Sequence, residues 1–437
     1  MLLGRVWLQC IWSCYNDPSV HVNRYNVLEI AKPRTFAAYS VDKAGSGKFS
    51  QFKGGEEMRL LLITGLAPLL DNRIAGAAVA DRLRHYRKFC EVMAVSPVNG
   101  ISSDFLGRLS QRFSRYPRKH MLLEDDFAID YPRYFLVPRD RPIERIVRSI
   151  SKRVCPDVIM THWGPTGWGA CSAAVKMGIP HVQFFHGSDI HDMRFKNRGS
   201  YEKTRSLIEA SDICFFVSGA LQSLSESKFG KACNSFIAPN GIDTEIFRVL
   251  PKKKQKKLKA TVGYIGRFER IKGVDYLPAI LDMIRKARSE IHFEFVLVGE
   301  GSLRKSVEEQ LQFSKINHVS TGFVDQKRLA VVMNGLDVLL VPSRNEGWGS
   351  VILESIACGT PIVATKVGGT AEAIGNSYNG ILVEPGDSFI ERFAQAAIEL
   401  LENRRDPELL AQYANQFTWE NVVNREISII REVLKFD

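Results

Sequence analysis

Three loops carry residue types and spacings suited to work on phosphate and sugar. The first, Gly266-Arg267-Phe268-Glu269-Arg270-Ile271-Lys272-Gly273, places an arginine and a lysine five apart between glycines, at a strand-to-helix turn. A planar guanidinium fork and a compact point charge can converge there on a pyrophosphate. The second, Val298-Gly299-Glu300-Gly301-Ser302, also follows a strand and opens a helix. Its glycines let backbone approach a ligand closely, although Arg304 stands where a full dinucleotide fingerprint needs its third glycine. The third runs Pro342-Ser-Arg-Asn-Glu346-Gly347-Trp348-Gly349-Ser350-Val351-Ile-Leu-Glu354, with Gly359 and Pro361 as stop signals. A helix starting near Gly349–Ser350 offers open amides to an anion. Glu346 sits in the loop before that terminus. Glu354 lies about one turn inside the helix among apolar neighbours, placed to accept hydrogen bonds from a sugar diol.

Two histidines follow strands in the first half of the chain. His162 lies in Thr161-His-Trp-Gly-Pro and is read as structural. His186, in Phe185-His-Gly-Ser-Asp189, ends the run His181–Phe185; taken alone, a histidine at a strand end is more often structural.

The elements that hold these loops are legible from their alternation. Strand-like runs fall at Leu60–Thr64, Glu91–Val95, Asp157–Thr161, His181–Phe185, Asp212–Val217 and Ser235–Ala238, with amphipathic segments such as Ile74–Arg87 and Ile143–Val154 between them. After a run of six lysines in 251–260 the alternation restarts: Thr261–Ile265, Phe293–Val298, His318–Thr321, Asp337–Val341, Ile362–Thr365 and Ile381–Val383. Short continuous apolar strands separated by helices predict parallel sheets covered on both faces. The fold class is therefore α/β: two doubly wound Rossmann-like domains facing one another across a cleft, 58–250 and 261–415, joined by the lysine-rich linker 251–260. Ligands bind at the carboxyl ends of such strands, where all three loops lie. The segment 416–437 reads as a last helix returning to the first domain.

Composition narrows the classes. With 437 residues, 45% hydrophobic and 24% charged, the chain is long enough for two cores and too apolar for disorder. No apolar run reaches the roughly 20 residues of a membrane-spanning helix. Eight cysteines are scattered, no zinc-ligand cluster appears, and several sit in apolar stretches, which points to a reducing cytoplasm. Residues 1–57 read as an N-terminal extension. Its Ala44-Gly-Ser-Gly-Lys48 fails as a phosphate loop, because Asp42 replaces the first glycine and Phe49 the Ser or Thr. The net charge of +11 equals the six linker lysines plus Arg108, Arg112, Arg115, Arg118 and Lys119. The segment 105–119 interleaves those charges with Phe105, Leu106, Leu109, Phe113 and Tyr116, a pattern suited to an anionic membrane surface. No nucleic-acid-binding signature accompanies it.

Taken in order, Gly-Arg…Lys-Gly, Val-Gly-Glu-Gly and the two glutamates eight apart resemble the nucleotide-sugar domain of glycosyltransferase family 4, retaining enzymes of the GT-B fold. The resemblance continues through Thr321-Gly-Phe323-Val324, Gly368-Gly369 and Asn379-Gly-Ile-Leu-Val-Glu-Pro-Gly386, nearly all of 260–403. It implies that Arg267 and Lys272 bind the donor diphosphate and offset leaving-group charge, that Glu346 holds the donor sugar, and that Glu354 takes the ribose hydroxyls. Gly266, Gly299, Gly301, Phe323, Val324, Gly347, Trp348, Gly349, Ser350 and Val351 complete the implied donor site, and His186 lies beside the sugar. No metal and no cofactor are called for. The paired glycines that the family often shows after the first strand are replaced here by Gly65-Leu-Ala-Pro68 and a single Ala75-Gly76. The expected activity is transfer of a sugar from a UDP-linked donor to a hydroxyl of a lipid-linked or polymeric saccharide, in the cytoplasm at the inner face of the plasma membrane. A UDP-sugar 2-epimerase or a non-catalytic binding protein on the same fold are the alternatives.

Overall fold

A computed structural model describes residues 58–65, 77–99, 120–122, 128–130, 133–134, 140–191, 198–251 and 259–436. The extension 1–57, the basic segment 105–119, Gly76 and most of the lysine run lie outside the described residues. Glu56–Asp437 folds as one compact unit.

Its strands in chain order begin with β1 (Arg59–Thr64), β2 (Glu91–Val95), β3 (Val98–Asn99), β4 (His120–Leu122), β5 (Ala128–Asp130), β6 (Arg133–Tyr134), β7 (Val158–His162), β8 (His181–Phe185), β9 (Ile213–Phe216) and β10 (Ser235–Ile237). Eight of them form one sheet in the order β10-β9-β8-β7-β1-β2-β5-β4. Every neighbouring pair is parallel except β4 with β5. The two-residue β3 and β6 pair separately. β7, β8 and β9 are buried along their whole length, as strands covered on both faces must be. Helices Asp140–Val154 and Gly164–Met177 cover one face through Ile143, Val147, Ala170 and Ala174, packed with Leu61 and Ile63. Helices Ala77–Tyr86 and Trp419–Leu434 cover the other through Val79, Leu83, Val423 and Ile427, packed with Leu60 and Leu62.

The second sheet contains β11 (Lys259–Ile265), β12 (His292–Val298), β13 (His318–Thr321), β14 (Val338–Val341), β15 (Ile362–Thr365) and β16 (Gly380–Val383). All are parallel, in the order β13-β12-β11-β14-β15-β16. The order reverses between β11 and β14, so the crevice of this sheet opens between the loops that follow those two strands. Those loops are Gly266–Gly273 and Pro342–Gly349. β11 begins at Lys259, two residues inside the segment read as linker.

The lobes share a core in which Phe185, Phe216 and Ile242 of the first pack with Ile265, Leu339, Trp348 and Ile352 of the second. The last helix, capped by the Thr418 hydroxyl accepting from the Asn421 amide at 3.2 Å, ends the chain against the first lobe. Among the described residues no helix is long and apolar enough to cross a membrane.

One buried ion pair ties that last helix down. Glu426 accepts from Arg82 Nη2 at 3.0 Å and from the Tyr86 hydroxyl, and both charged side chains are buried. The guanidinium also donates to the Pro239 carbonyl at 2.9 Å and lies 4.6 Å from the Phe184 ring centre. Removing one partner leaves an uncompensated buried charge, a loss of about 3–5 kcal/mol. Glu426→Ala and Glu426→Gln are both expected to lower the urea unfolding midpoint, Gln by less because it keeps an acceptor for Arg82 and Tyr86. An unchanged midpoint in Glu426→Ala would show that the pair is not what holds the helix.

Candidate active site

The site grows from two loops of the second lobe pressed together. After β11 the chain turns through a short 3-10 segment, Arg270–Lys272, and ends it at Gly273 with φ +67°. A Cβ on Gly273 would stand 1.8 Å from the Pro342 carbonyl oxygen, so only glycine permits both the left-handed turn and this approach. The Arg344 amide donates to the Ile271 carbonyl at 2.9 Å and completes the seam. The seam delivers Lys272 to Glu346: Nζ lies 2.6 Å from Oε1, which also accepts from Ser343 Oγ at 2.8 Å. The Glu346 side chain is 8% exposed and that of Lys272 23%. Glu346 Oε2 has no hydrogen-bond partner among the described residues. Arg267 is exposed and makes no ion pair among them.

The loop after β12 packs against this basic loop. Cβ atoms on Gly299 and Gly301 would fall 1.9 Å from the Gly266 carbonyl oxygen and 2.5 Å from that of Phe268. These glycines therefore permit loop-on-loop packing, a different reason from the approach to ligand read from the sequence. Glu269 closes the same contact by accepting from the Ser302 amide and hydroxyl at 3.1 and 2.8 Å. Beyond β13, Phe323 is 58% exposed while Val324 is half-buried.

Gly349, at φ +81°, precedes helix Ser350–Ala357, and no side chain caps it. The Ser350 hydroxyl accepts from the Asn240 side-chain amide of the first lobe at 3.1 Å. The Glu354 carboxylate has no hydrogen-bond partner among the described residues. Burial, and secondarily the negative charge of Asp81, push its carboxyl up to about 7. Trp348 turns inward instead: its ring is buried 5.7 Å from that of Phe417, in the core between the lobes.

The first lobe contributes the loop after β8. Asp189, buried, accepts from the amides of His186 at 3.0 Å, Gly187 at 2.8 Å and Gly164 at 3.3 Å. Its burial raises the carboxyl to about 6, against the pull of those amides. The loop so held touches the second lobe. A Cβ on Gly347 would lie 2.3 Å from the His186 carbonyl oxygen, so a side chain there would force the lobes apart. Ser218 Oγ donates to the Gly347 carbonyl at 2.8 Å, and the Glu372 carboxylate accepts from the Gly219 and Ala220 amides at 2.7 and 2.8 Å. His186 Nε2 lies 2.8 Å from His162 Nδ1. Burial first, then the charge of Arg82, lowers His186 to about 3, so the ring is neutral at neutral pH.

Candidates from both lobes thus meet at one seam: His186 against Gly347, next to Glu346 and its Lys272. Ser343 and Glu372 escaped the sequence reading as members of this arrangement, and Asp189 entered it only as part of the His186 segment. A serine three residues before a loop glutamate and an aspartate three after a strand-end histidine were visible signals, whereas nothing local marks Glu372.

Known proteins carry the same framework. A family model described as glycosyl transferases group 1 matches residues 244–417, and one described as glycosyltransferase family 4 matches 109–246. An uncharacterized glycosyltransferase of Methanocaldococcus jannaschii is 28% identical over 286 residues, 64% of this chain and 76% of that protein. The putative teichuronic acid biosynthesis glycosyltransferase TuaC of Bacillus subtilis is 24% identical over 259 residues, 57% of this chain and 63% of its own length. The chain thus spans about three quarters of the first relative and under two thirds of the second. HepE of Anabaena, solved in complex with UDP, superposes with a TM-score of 0.65 at 18% identity, covering 86% of this chain and all of its own. With two doubly wound lobes and both family matches in chain order, this protein belongs to the family 4 type of GT-B glycosyltransferases.

Proposed function

We propose that the chain transfers a sugar from a UDP-linked donor to a hydroxyl of a lipid-linked or polymeric saccharide, with retention of anomeric configuration. The observation that carries this reading is the Lys272–Glu346 pair at 2.6 Å beside an uncapped helix terminus. A cation there meets the diphosphate, and the amides of Gly349, Ser350 and Val351 meet its other oxygens. Arg267, exposed and without an ion pair among the described residues, supplies the second positive charge. Leaving-group charge then develops against fixed cations and dipoles, the largest kind of catalytic contribution. Glu346, held by Lys272 and Ser343 on one oxygen, turns the other to the sugar hydroxyls. Glu354 takes the ribose hydroxyls, and the exposed Phe323 ring with Val324 offers the base a surface.

Two further supports bear on the partners. HepE, of the same fold, was solved with UDP, and TuaC is named for teichuronic acid biosynthesis. On this reading 58–250 is the acceptor side and 261–415 the donor side. The basic segment 105–119 brings the acceptor side to an anionic membrane surface in the cytoplasm. Retention by double displacement needs two carboxyl groups about 5 Å apart, one of them a nucleophile. Glu346 is engaged by Lys272, which favours a same-face route in which the leaving phosphate helps deprotonate the acceptor.

Calorimetry with a panel of UDP-, GDP- and ADP-sugars tests the donor. Saturable binding of one UDP-sugar, lost in Lys272→Ala and Glu354→Ala, is the expected result. Folded protein that binds none of them would overturn the reading.

A further inference from the structure

We infer that His162 is a positioning residue that sets the tautomer of His186 and so presents His186 to the cleft as a hydrogen-bond donor. The inference rests on the proposed reading that His186 faces the donor sugar.

The geometry comes from the sheet. β7 and β8 are parallel neighbours with His162 opposite Phe184, and the chain leaves β8 at His186. The two imidazoles meet edge to edge, His162 Nδ1 at 2.8 Å from His186 Nε2. At that distance one proton lies between the two nitrogens, and two neutral arrangements are open. In one, His186 Nε2 donates, and the proton of His162 sits on its own Nε2. In the other, His162 Nδ1 donates, and the proton of His186 sits on Nδ1.

The surroundings of His162 choose between them. The residue is fully buried, and its Nε2 has no hydrogen-bond partner among the described residues. A proton there would be a buried donor with nothing to receive it, whereas a bare nitrogen is only an unused acceptor. The His162 ring stacks on Phe184 at 4.5 Å, and the Arg82 guanidinium lies 4.6 Å from the centre of the Phe184 ring. The proton of His162 therefore sits on Nδ1 and is given to His186 Nε2. His186 must then carry its own proton on Nδ1, the nitrogen with no partner among the described residues.

Both rings are neutral at neutral pH, held so mainly by burial, so His186 acts as a fixed donor and exchanges no proton. Its loop abuts Gly347, the residue after Glu346. A sugar hydroxyl in that corner accepts from His186 Nδ1 and donates to the Glu346 carboxylate, which can only accept. The two groups are complementary, and the opposite tautomer would set two acceptors against one hydroxyl.

Nitrogen NMR of the full chain labelled at histidine reads the tautomer directly. His186, assigned by its loss in His186→Gln, is expected to show a protonated Nδ1 and a bare Nε2. In His162→Phe the pattern should change to a protonated Nε2, and hydrolysis of the UDP-sugar bound in the calorimetric panel should fall about 10–100-fold, as for loss of an orienting partner. His162→Asn keeps an amide N–H near the place of Nδ1 and should restore both the Nδ1-protonated signal and most of the rate. Wild-type His186 protonated at Nε2 overturns the inference. So does a His162→Asn variant no more active than His162→Phe. Hydrolysis unchanged in His186→Gln would instead overturn the placement of His186 beside the sugar, while the spectrum still decides the tautomer.

Discussion

Lys272→Ala is expected to lower kcat/KM for sugar transfer by about 10²–10³-fold, the usual loss when one fixed group facing developing charge is removed. Two effects combine. The diphosphate loses a cation that opposes the charge it gains on leaving. Glu346, 8% exposed, keeps only the Ser343 hydroxyl on the oxygen that Lys272 held at 2.6 Å, so its carboxylate is poorly paired and its aim at the sugar loosens. Lys272→Arg should recover part of the loss, because the charge returns but the planar fork does not reproduce a point charge at the same place. Steady-state kinetics with circular dichroism as a folding control measures this. A fall of less than tenfold in a folded Lys272→Ala protein would remove Lys272 from the chemistry.

Glu354→Gln is expected to stabilise the free protein at pH 8 while weakening donor binding. The folded Glu354 carboxyl is raised to about 7 by burial first and by Asp81 second, above the unfolded value of about 4.3. An acid with a raised folded pKa costs nothing below its unfolded pKa. The cost grows as pH rises between the two values and is complete above the folded one. The residue is only half-buried overall, so we expect a gain of about 1–3 kcal/mol at pH 8, below the full linkage value. The gain should shrink toward zero as the pH approaches 4. Donor affinity should fall about 10–100-fold, the equivalent of charge-assisted hydrogen bonds to two hydroxyls. Urea midpoints at pH 5 and pH 8, with calorimetry at pH 8, check both halves. A variant less stable than the parent at pH 8 would show that no strained carboxylate sits there.

Of the six runs read as strands in the second lobe, His318–Thr321 and Ile362–Thr365 coincide with β13 and β15, and the other four differ by one or two residues at their starts. β14 and β15 are buried along their whole length, so composition alone marks them, whereas the edge strand β13 leaves Val319 exposed. In the first lobe the reading missed β3, β4, β5 and β6. Strands of two or three residues carry no period, and β4 joins the sheet antiparallel, against the pattern of its neighbours.

The chain's local chemistry announces much of the site. Glycines at turns, cations in one loop, and glutamates eight apart across a loop-to-helix junction are properties of short segments, and short segments are what a sequence spells out. Pairings between segments are decided by the fold. Lys272 and Glu346 are 74 residues apart, and they meet because β11 and β14 lie side by side and Gly273 lets their loops touch. Trp348 reads as a site residue until packing between the lobes draws its ring against Phe417. Glu372 caps a helix of the other lobe, and His162 meets His186 only because β7 and β8 are neighbours. Burial, partner and tautomer depend on which surfaces the sheets bring together, and no residue's nearest neighbours in the chain carry that information.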